Sequence, residues 1–294
     1  MATKKTKRKT GRSRGESSGR GSAASSRNSF PWGYVGAVGL IVIAIVAWSL
    51  WEPEYAHSVV PKKLNIEVVA TYPHSTEAWT QGLLWHGGKV IEGTGLEGKS
   101  SLRRVELKTG TPEHQIALPK DVFAEGVALV GDRLLQLTWK DHRAFAWSAD
   151  TFKPLGEFKY DGEGWGLCYD GKRLVMSDGS ERLAFRDPKT FRETGSVYVH
   201  YAGERFHGKL NELECVGKYV YANVWTNDED RIVQIDPGTG DVVAWVDAQG
   251  LLPEETRRHL DVLNGIAYVP ERQTFLITGK MWPKMFEVRF VPAH

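Results

Sequence analysis

A chain of 294 residues with 25% charged and 41% hydrophobic residues has an ordinary globular composition, and its length allows one or two domains. The net charge of +2 hides an asymmetry: residues 1–27 hold nine Lys/Arg against Glu16, and removing these from the totals of 38 basic and 36 acidic residues leaves the remainder at −6. That balance argues against a basic nucleic-acid-binding face, and two cysteines exclude a disulfide scaffold or a Cys-rich metal fold. Eleven Trp, ten Tyr and 31 Gly suit many short strands and tight turns.

Residues 1–28 are a Lys/Arg/Gly/Ser segment without an aliphatic cluster, expected to be disordered. They read as the basic cytoplasmic flank of a membrane segment, with a nucleic-acid- or lipid-binding arm as the alternative. Residues 29–51 carry no charge, and Trp32 and Tyr34 at one edge with Trp48 and Trp51 at the other resemble aromatic belts. This pattern predicts a transmembrane signal-anchor helix. The preceding positive charges predict an inner-membrane, single-pass protein with its N-terminus in the cytoplasm and its main domain periplasmic or otherwise extracytoplasmic. A cleaved signal peptide is the rival, but no small-x-small site follows the span, where Trp51-Glu52-Pro53-Glu54 stands. Residues 52–63, with Pro53 and Pro61, read as a linker to a domain over 64–294.

That domain is repetitive. One short segment recurs as Gln81-Gly-Leu-Leu-Trp85, Glu125-Gly-Val-Ala-Leu129, Trp165-Gly-Leu-Cys-Tyr169, Asn211-Glu-Leu-Glu-Cys215 and Asn264-Gly-Ile-Ala-Tyr268. Each copy leads through a turn, such as His86-Gly-Gly-Lys89, into a second and third strand-like run, and four copies have a fourth. Four strands per unit of this length predict an all-β, five-bladed β-propeller. Leu64–Thr71 is strand-like and supplies the strand that the last unit lacks, closing the ring. A β-sandwich has a similar strand count but does not explain the repeat. Leu252–Val262 reads as a short helix behind Pro253.

In such a blade the start of strand one and the end of strand two share one face of the disc. This places Trp79, Gln81, Phe123, Glu125, Trp165, Asn211, Glu212 and Asn264 on one rim, with Thr94, Trp139, Asp178, Trp225 and Lys280 from the second strands. An acid, a lysine, amides and tryptophans around one funnel suit a small-ligand pocket. Each also has a plainer reading. Tryptophans pack between blades, Asn and Asp cap turns, one of Glu212 and Glu214 is solvated, and Glu125 with Lys280 forms a structural ion pair. Cys168 and Cys215 read as buried free thiols. No HExxH, CxxC, GxSxG or P-loop occurs, so a classical zinc site is not expected.

The motifs Ala78-Trp-Thr-Gln-Gly-Leu83, Phe123-Ala-Glu-Gly-Val127, Gly162-Glu-Gly-Trp-Gly-Leu167, Leu210-Asn-Glu-Leu-Glu214, Tyr221-Ala-Asn-Val-Trp225 and Thr278-Gly-Lys-Met-Trp-Pro283 resemble those of the plant- and bacterial-type glutaminyl-peptide cyclotransferases, or glutamine cyclotransferases. The resemblance covers nearly all of residues 64–290. It departs at Trp79, where the family usually has Phe, at Ala124, and at Glu92-Gly-Thr-Gly95.

The resemblance implies a five-bladed propeller and an acyl-transfer reaction: peptides or proteins with N-terminal glutamine are cyclised to pyroglutamate and ammonia leaves. It implies Glu125 as proton shuttle, with Lys280, Gln81 and Asn211 holding the amide oxygen or oxyanion. Trp79, Phe123, Trp139, Trp165 and Trp225 would wall the site. No cofactor is required, no metal-binding residue is assigned, and a structural calcium in the channel is possible. A non-enzymatic propeller that binds peptide ends and a calcium-dependent lactonase-like hydrolase are the alternatives.

Overall fold

The computed structural model describes residues 59–226 and 229–293. The expected tail 1–28 and signal-anchor helix 29–51 lie outside them, as does most of the linker 52–63. No helix among the described residues is long and apolar enough to cross a membrane.

Strand β1 (Lys62–Pro73) precedes a series of antiparallel meanders. The first is β2 (Thr80–His86), β3 (Lys89–Thr94), β4 (Ser101–Glu106) and β5 (Thr111–Ala117). The second is β6 (Ala124–Val130), β7 (Arg133–Thr138), β8 (Arg143–Ser148) and β9 (Pro154–Lys159). The third is β10 (Leu167–Tyr169), β11 (Leu174–Ser177), β12 (Arg182–Arg186) and β13 (Glu193–Tyr198). A separate hairpin follows, β14 (His200–Tyr201) and β15 (Glu204–Arg205). The remaining strands are β16 (Lys209–Val216), β17 (Tyr219–Trp225), β18 (Arg231–Ile235), β19 (Val242–Asp247), β20 (Leu263–Val269), β21 (Thr274–Gly279) and β22 (Lys284–Pro292). With β1 they form an eight-stranded sheet ordered β16-β17-β18-β19-β1-β22-β21-β20. The described chain is an all-β, propeller-like fold.

Burial explains which strand lies where. The start of β6 is buried, Glu125 included, whereas β9 at the far edge of the same meander is mostly exposed. Between neighbouring meanders the side chains interdigitate; Ile91 and Leu102 of the first pack with Val127, Leu134 and Phe145 of the second. The first strands β2, β6, β10, β16 and β20 each contact the next, and β20 contacts β2. Their approach is so close that a Cβ on Gly82 would lie 2.5 Å from the Val127 nitrogen, and one on Gly126 would lie 2.6 Å from the Leu167 nitrogen. Real Cβ contacts do not reach such distances, so glycine at these positions is a packing requirement.

The strand expected at 64–71 exists and runs two residues further at each end. β1 pairs antiparallel with β22, from Leu64↔Pro292 to Pro73↔Lys284, with a bulge at Val68–Ala70. It also pairs parallel with β19 through Lys62↔Ala244, Lys63↔Trp245 and Leu64↔Val246. Thus β1 is the fourth strand of the last meander and joins it to the one before.

Two expectations need correction. The helix over 252–262 shrinks to α1 (Glu254–Arg257), none of whose residues is buried, so no apolar face supports a longer one. Cys168 and Cys215, expected as free thiols, form a disulfide with Cα atoms 5.5 Å apart. They lie on β10 and β16, and the close approach of these two first strands brings together residues 47 apart in sequence.

Two stability measurements follow. A fragment starting at residue 59 should fold, whereas one starting at residue 74 lacks β1 and should melt well below it; equal melting temperatures would refute the structural role given to β1. Replacing both cysteines by serine should cost about 2–4 kcal/mol in urea unfolding without reductant.

Candidate active site

The polar residues of the repeat sit where the first strands break register. The pairing shifts between Thr80 and Gly82, Ala124 and Val127, Leu210 and Leu213, and Leu263 and Ile266. Gln81, Glu125, Asn211, Glu212 and Asn264 lie inside these shifts. A β-bulge locally ends pairing and re-aims a side chain, so the bulges free these residues from the pleated alternation.

A hydrogen-bonded chain results. Asn264 Nδ2 donates to Gln81 Oε1 at 3.0 Å, and Gln81 Nε2 donates to Glu125 Oε1 at 2.9 Å. Glu125 is only 4% exposed, and its Oε2 has no partner among the described residues. Asn211 is 1% exposed, and neither its Nδ2 nor its Oδ1 has a partner there. Buried polar atoms are normally paired, so this cluster holds unspent hydrogen-bonding capacity. Burial pushes the Glu125 carboxyl well above the ordinary range; the Lys280 charge opposes this and Glu163 reinforces it. Burial likewise lowers Lys280, against the opposing pull of Glu125 and Asp261. Among the described residues no direct ion pair joins Glu125 to Lys280, contrary to the structural reading of the sequence; they interact through space.

The five expected aromatic residues are all half-buried. The Phe123 and Trp139 rings meet edge to face at 5.6 Å, as do Trp165 and Trp225 at 6.3 Å. Lys280 Nζ lies 5.5 Å from the centre of the Trp79 ring. Sequence reasoning missed the residue that ties the wall together. Glu163 Oε2 accepts from Trp139 Nε1 at 2.7 Å and from Trp165 Nε1 at 3.0 Å. Although burial opposes the charge, these indole bonds and nearby Lys140 hold the Glu163 carboxyl below the usual carboxylate range. The available signal was an acidic residue enclosed by glycines in Gly162-Glu-Gly-Trp-Gly166.

A second buried cluster supports the turn that carries Lys280. Met281 adopts the left-handed region, φ 61°, and its N–H donates to the Ala78 carbonyl at 2.7 Å. His74 Nδ1 donates to the Trp282 carbonyl at 2.6 Å, while Nε2 meets Glu92 Oε1 at 2.9 Å. Burial works against both charges here too, but the mutual attraction wins: His74 is raised and Glu92 lowered. Thr80, beside Gln81, donates its hydroxyl to Glu92 at 2.8 Å. The cluster therefore braces β2 and the Lys280 turn together.

Other rim residues do structural work. The sequence reading left one of Glu212 and Glu214 solvated; in the structure both are held by backbone N–H groups. Glu212 is fully buried and accepts from the Leu83 N–H at 3.1 Å and the Ile266 N–H at 2.9 Å. Glu214 accepts from the Tyr268 N–H at 2.9 Å, and burial pushes its carboxyl up to about 8. Asp178 caps its own turn through the Ser180 N–H at 3.0 Å, and Thr94 bonds Ser101 at 2.7 Å. Among the described residues no group of three or more His, Cys, Asp or Glu is placed to hold a metal ion. Two large grooves flank the cluster rather than cover Glu125: one of about 770 Å³ beside Asp261 and Val262, and one of about 690 Å³ beside Trp225.

A family model described as glutamine cyclotransferase matches residues 40–290. A glutaminyl-peptide cyclotransferase from Arabidopsis thaliana is 37% identical over 263 residues, covering 87% of this chain and 81% of the relative. The crystal structure of Myxococcus xanthus glutaminyl cyclase superposes with a TM-score of 0.72 at 38% identity, covering 80% of this chain and 100% of that one.

The buried acid should carry a measurable stability signature. Because the folded-state carboxyl of Glu125 is raised, the folded protein binds the extra proton, and stability is lost as pH rises from about 4.5 toward the folded value. Glu125→Gln removes this penalty, so its melting temperature should exceed wild type by a few degrees at pH 8 and converge with it near pH 4. A variant no more stable than wild type at pH 8 would contradict the assigned burial.

Proposed function

The chain belongs to the glutamine cyclotransferase family, and we propose that it converts N-terminal glutamine of peptides and proteins to pyroglutamate with release of ammonia. The observation that carries this reading is the pair of buried groups with free capacity, Glu125 Oε2 and the Asn211 amide, beside a half-exposed aromatic wall. One group can exchange a proton, the other can hold an amide oxygen, and the rings match the aliphatic stem of glutamine.

The chemistry is an intramolecular acyl transfer. The α-amine nitrogen bonds to the γ-carboxamide carbon, the carbonyl π electrons move onto oxygen, and the C–N bond to the leaving nitrogen then breaks. Holding glutamine folded in the pocket supplies much of the acceleration. Bringing the substrate α-ammonium to Glu125 favours the carboxylate and offsets the burial that raised it. Glu125 takes one proton from the α-ammonium so that the free amine can attack, gives it to the departing nitrogen, and takes the second proton from the new ring nitrogen. The carbonyl re-forms as ammonia leaves, and ammonia carries that second proton away as ammonium. A raised value suits this two-way role, since the best shuttle titrates near the working pH. Gln81, engaged on both sides by Asn264 and Glu125, acts first as the residue that positions the shuttle. Asn211 and Lys280 face the developing oxyanion. Trp79, Phe123, Trp139, Trp165 and Trp225 enclose the substrate and exclude water that would hydrolyse the amide. Side chains handle the proton transfers and the developing charge, so the reaction calls for no cofactor or metal, and a calcium ion in the channel would be structural.

The same proposal covers architecture and location. We read the eight-stranded sheet as two four-stranded blades joined at β1, making five blades with the three separate meanders. The closed sequence of first-strand contacts supports this. We place the domain outside the cytoplasm, behind a single-pass signal anchor over residues 29–51. The Cys168–Cys215 disulfide supports an oxidising compartment.

A coupled ammonia-release assay on a Gln-initiated dipeptide tests the activity, and chelator should leave its rate unchanged. No release above background would refute the reading. Glu125→Gln should keep the fold by circular dichroism and lose about 10²–10⁴-fold in kcat/KM. Lys280→Met should also lose activity, and the double variant should be far from additive if both groups act in one transition state. Near-normal kcat/KM in Glu125→Gln would remove the shuttle role. A reporter active only outside the cytoplasm, fused after residue 294, should give signal; signal from a cytoplasm-only reporter would reverse the orientation.

A further inference from the structure

The groove beside Trp225 adjoins the aromatic wall through that residue, and neither Glu125 nor Gln81 lines it. It is lined by Tyr201, Arg205, Phe206, His207, Lys209 and Trp225, with a volume of about 690 Å³. Trp225 therefore serves two spaces: on one side it meets Trp165 at 6.3 Å, and it also lines the groove. The β14–β15 hairpin, which lies outside the repeat, forms the far bank. Its position is fixed, because the buried Phe206 packs in the apolar cluster beneath and its N–H donates to the Val199 carbonyl at 2.9 Å.

The charges in the groove are not equivalent. Arg205 pairs with Glu181 at 3.0 Å and Arg231 with Glu229 at 2.6 Å. Glu204 sits on the hairpin and is exposed. Lys209 is exposed and lies 4.6 Å from the centre of the Trp225 ring, and among the described residues no carboxylate pairs with it. An ammonium held over an aromatic ring is oriented yet still able to bind an anion.

We infer that this groove receives the peptide segment following the N-terminal glutamine, and that Lys209 selects a carboxylate in that segment. The inference rests on the proposed cyclase activity and specifies its substrate class: peptides with an acidic residue close behind the glutamine. Glutamine enters the pocket with its α-amine and side chain, so its own carbonyl must lead outward past the wall. Trp225 is the wall residue that borders both spaces, and the apolar Phe206 and Tyr201 offer a bed for the chain beyond it.

The test compares kcat/KM for ammonia release from glutamine amide and from Gln-Ala-Ala, Gln-Glu-Ala, Gln-Ala-Glu and Gln-Lys-Ala amides, with free-acid Gln-Ala as a further arm. The acidic peptides should exceed the lysine peptide by about two- to fivefold, the scale of one exposed charge pair, mainly through KM. The preference should shrink as ionic strength rises, since an exposed pair is screened. Lys209→Met should abolish it while leaving turnover of glutamine amide unchanged, and Lys209→Glu should reverse it. A preference for Gln-Glu-Ala or Gln-Ala-Glu amide assigns the carboxylate to a side chain and supports recognition by Lys209, whereas one confined to free-acid Gln-Ala places it at the chain end and overturns the acidic-residue class. Equal rates for acidic and basic peptides, or a preference that persists in Lys209→Glu, would overturn the inference. Failure to turn over glutamine amide as well would instead bring down the cyclase reading on which it rests.

Discussion

Steric room along the line where β2, β6, β10, β16 and β20 meet governs the rest of the molecule. Gly82, Gly126 and Gly166 each leave no space for a Cβ against the neighbouring first strand. At the corresponding place in the fourth copy stands Glu212, whose carboxylate accepts backbone N–H groups from β2 and β20. Three strands are thus bound through one side chain, while the glycines let the others close in. Strands packed this tightly at the centre cannot all keep regular pairing, and the register shifts appear at the same end. The polar residues freed there form the candidate site. Packing along the first strands and the polar cluster at their ends are two results of the same crowding.

The two buried charge clusters show how geometry decides between burial and pairing. In both, loss of water disfavours charge. His74 and Glu92 touch at 2.9 Å and gain further bonds from Thr80 and the Trp282 carbonyl, so their charges are retained. Glu125 and Lys280 act on each other only at longer range, and burial prevails in each. The first arrangement is fully satisfied and braces the second. The second keeps a carboxyl and an amine displaced toward neutrality, the condition in which protons move readily between groups.

Much of this was legible in the chain because it repeats. A motif recurring about every forty to fifty residues marks equivalent strand starts, and equivalence alone gathers Gln81, Glu125, Asn211 and Asn264 onto one face. What stayed hidden depends on contacts between copies. Cys168 and Cys215 occupy ordinary strand positions, and only the proximity of β10 and β16 makes them partners. Alternation puts Glu212 and Glu214 on the face opposite Leu213, where one of them reads as solvated, but each reaches a backbone N–H on β20. Glu163 lies in a glycine-rich stretch with no periodicity, and its part emerges only when two indole N–H groups from different meanders converge on it. Alternation and repeat length describe single sheets; bonds between sheets have no signature of their own.

The seam at β1 also has a consequence for biogenesis. Its partners lie more than 170 residues downstream, at Val242–Asp247 and Lys284–Pro292. During vectorial synthesis β1 is among the first strands to emerge and the last to be paired. Until β22 appears, the long antiparallel edge of β1, from Leu64 to Pro73, has no native partner. Completion of the ring is thus a late, long-range event of the kind that slows folding and exposes strand edges to neighbours. A nascent chain held near one end of β1 would wait for its own C-terminus with that edge open.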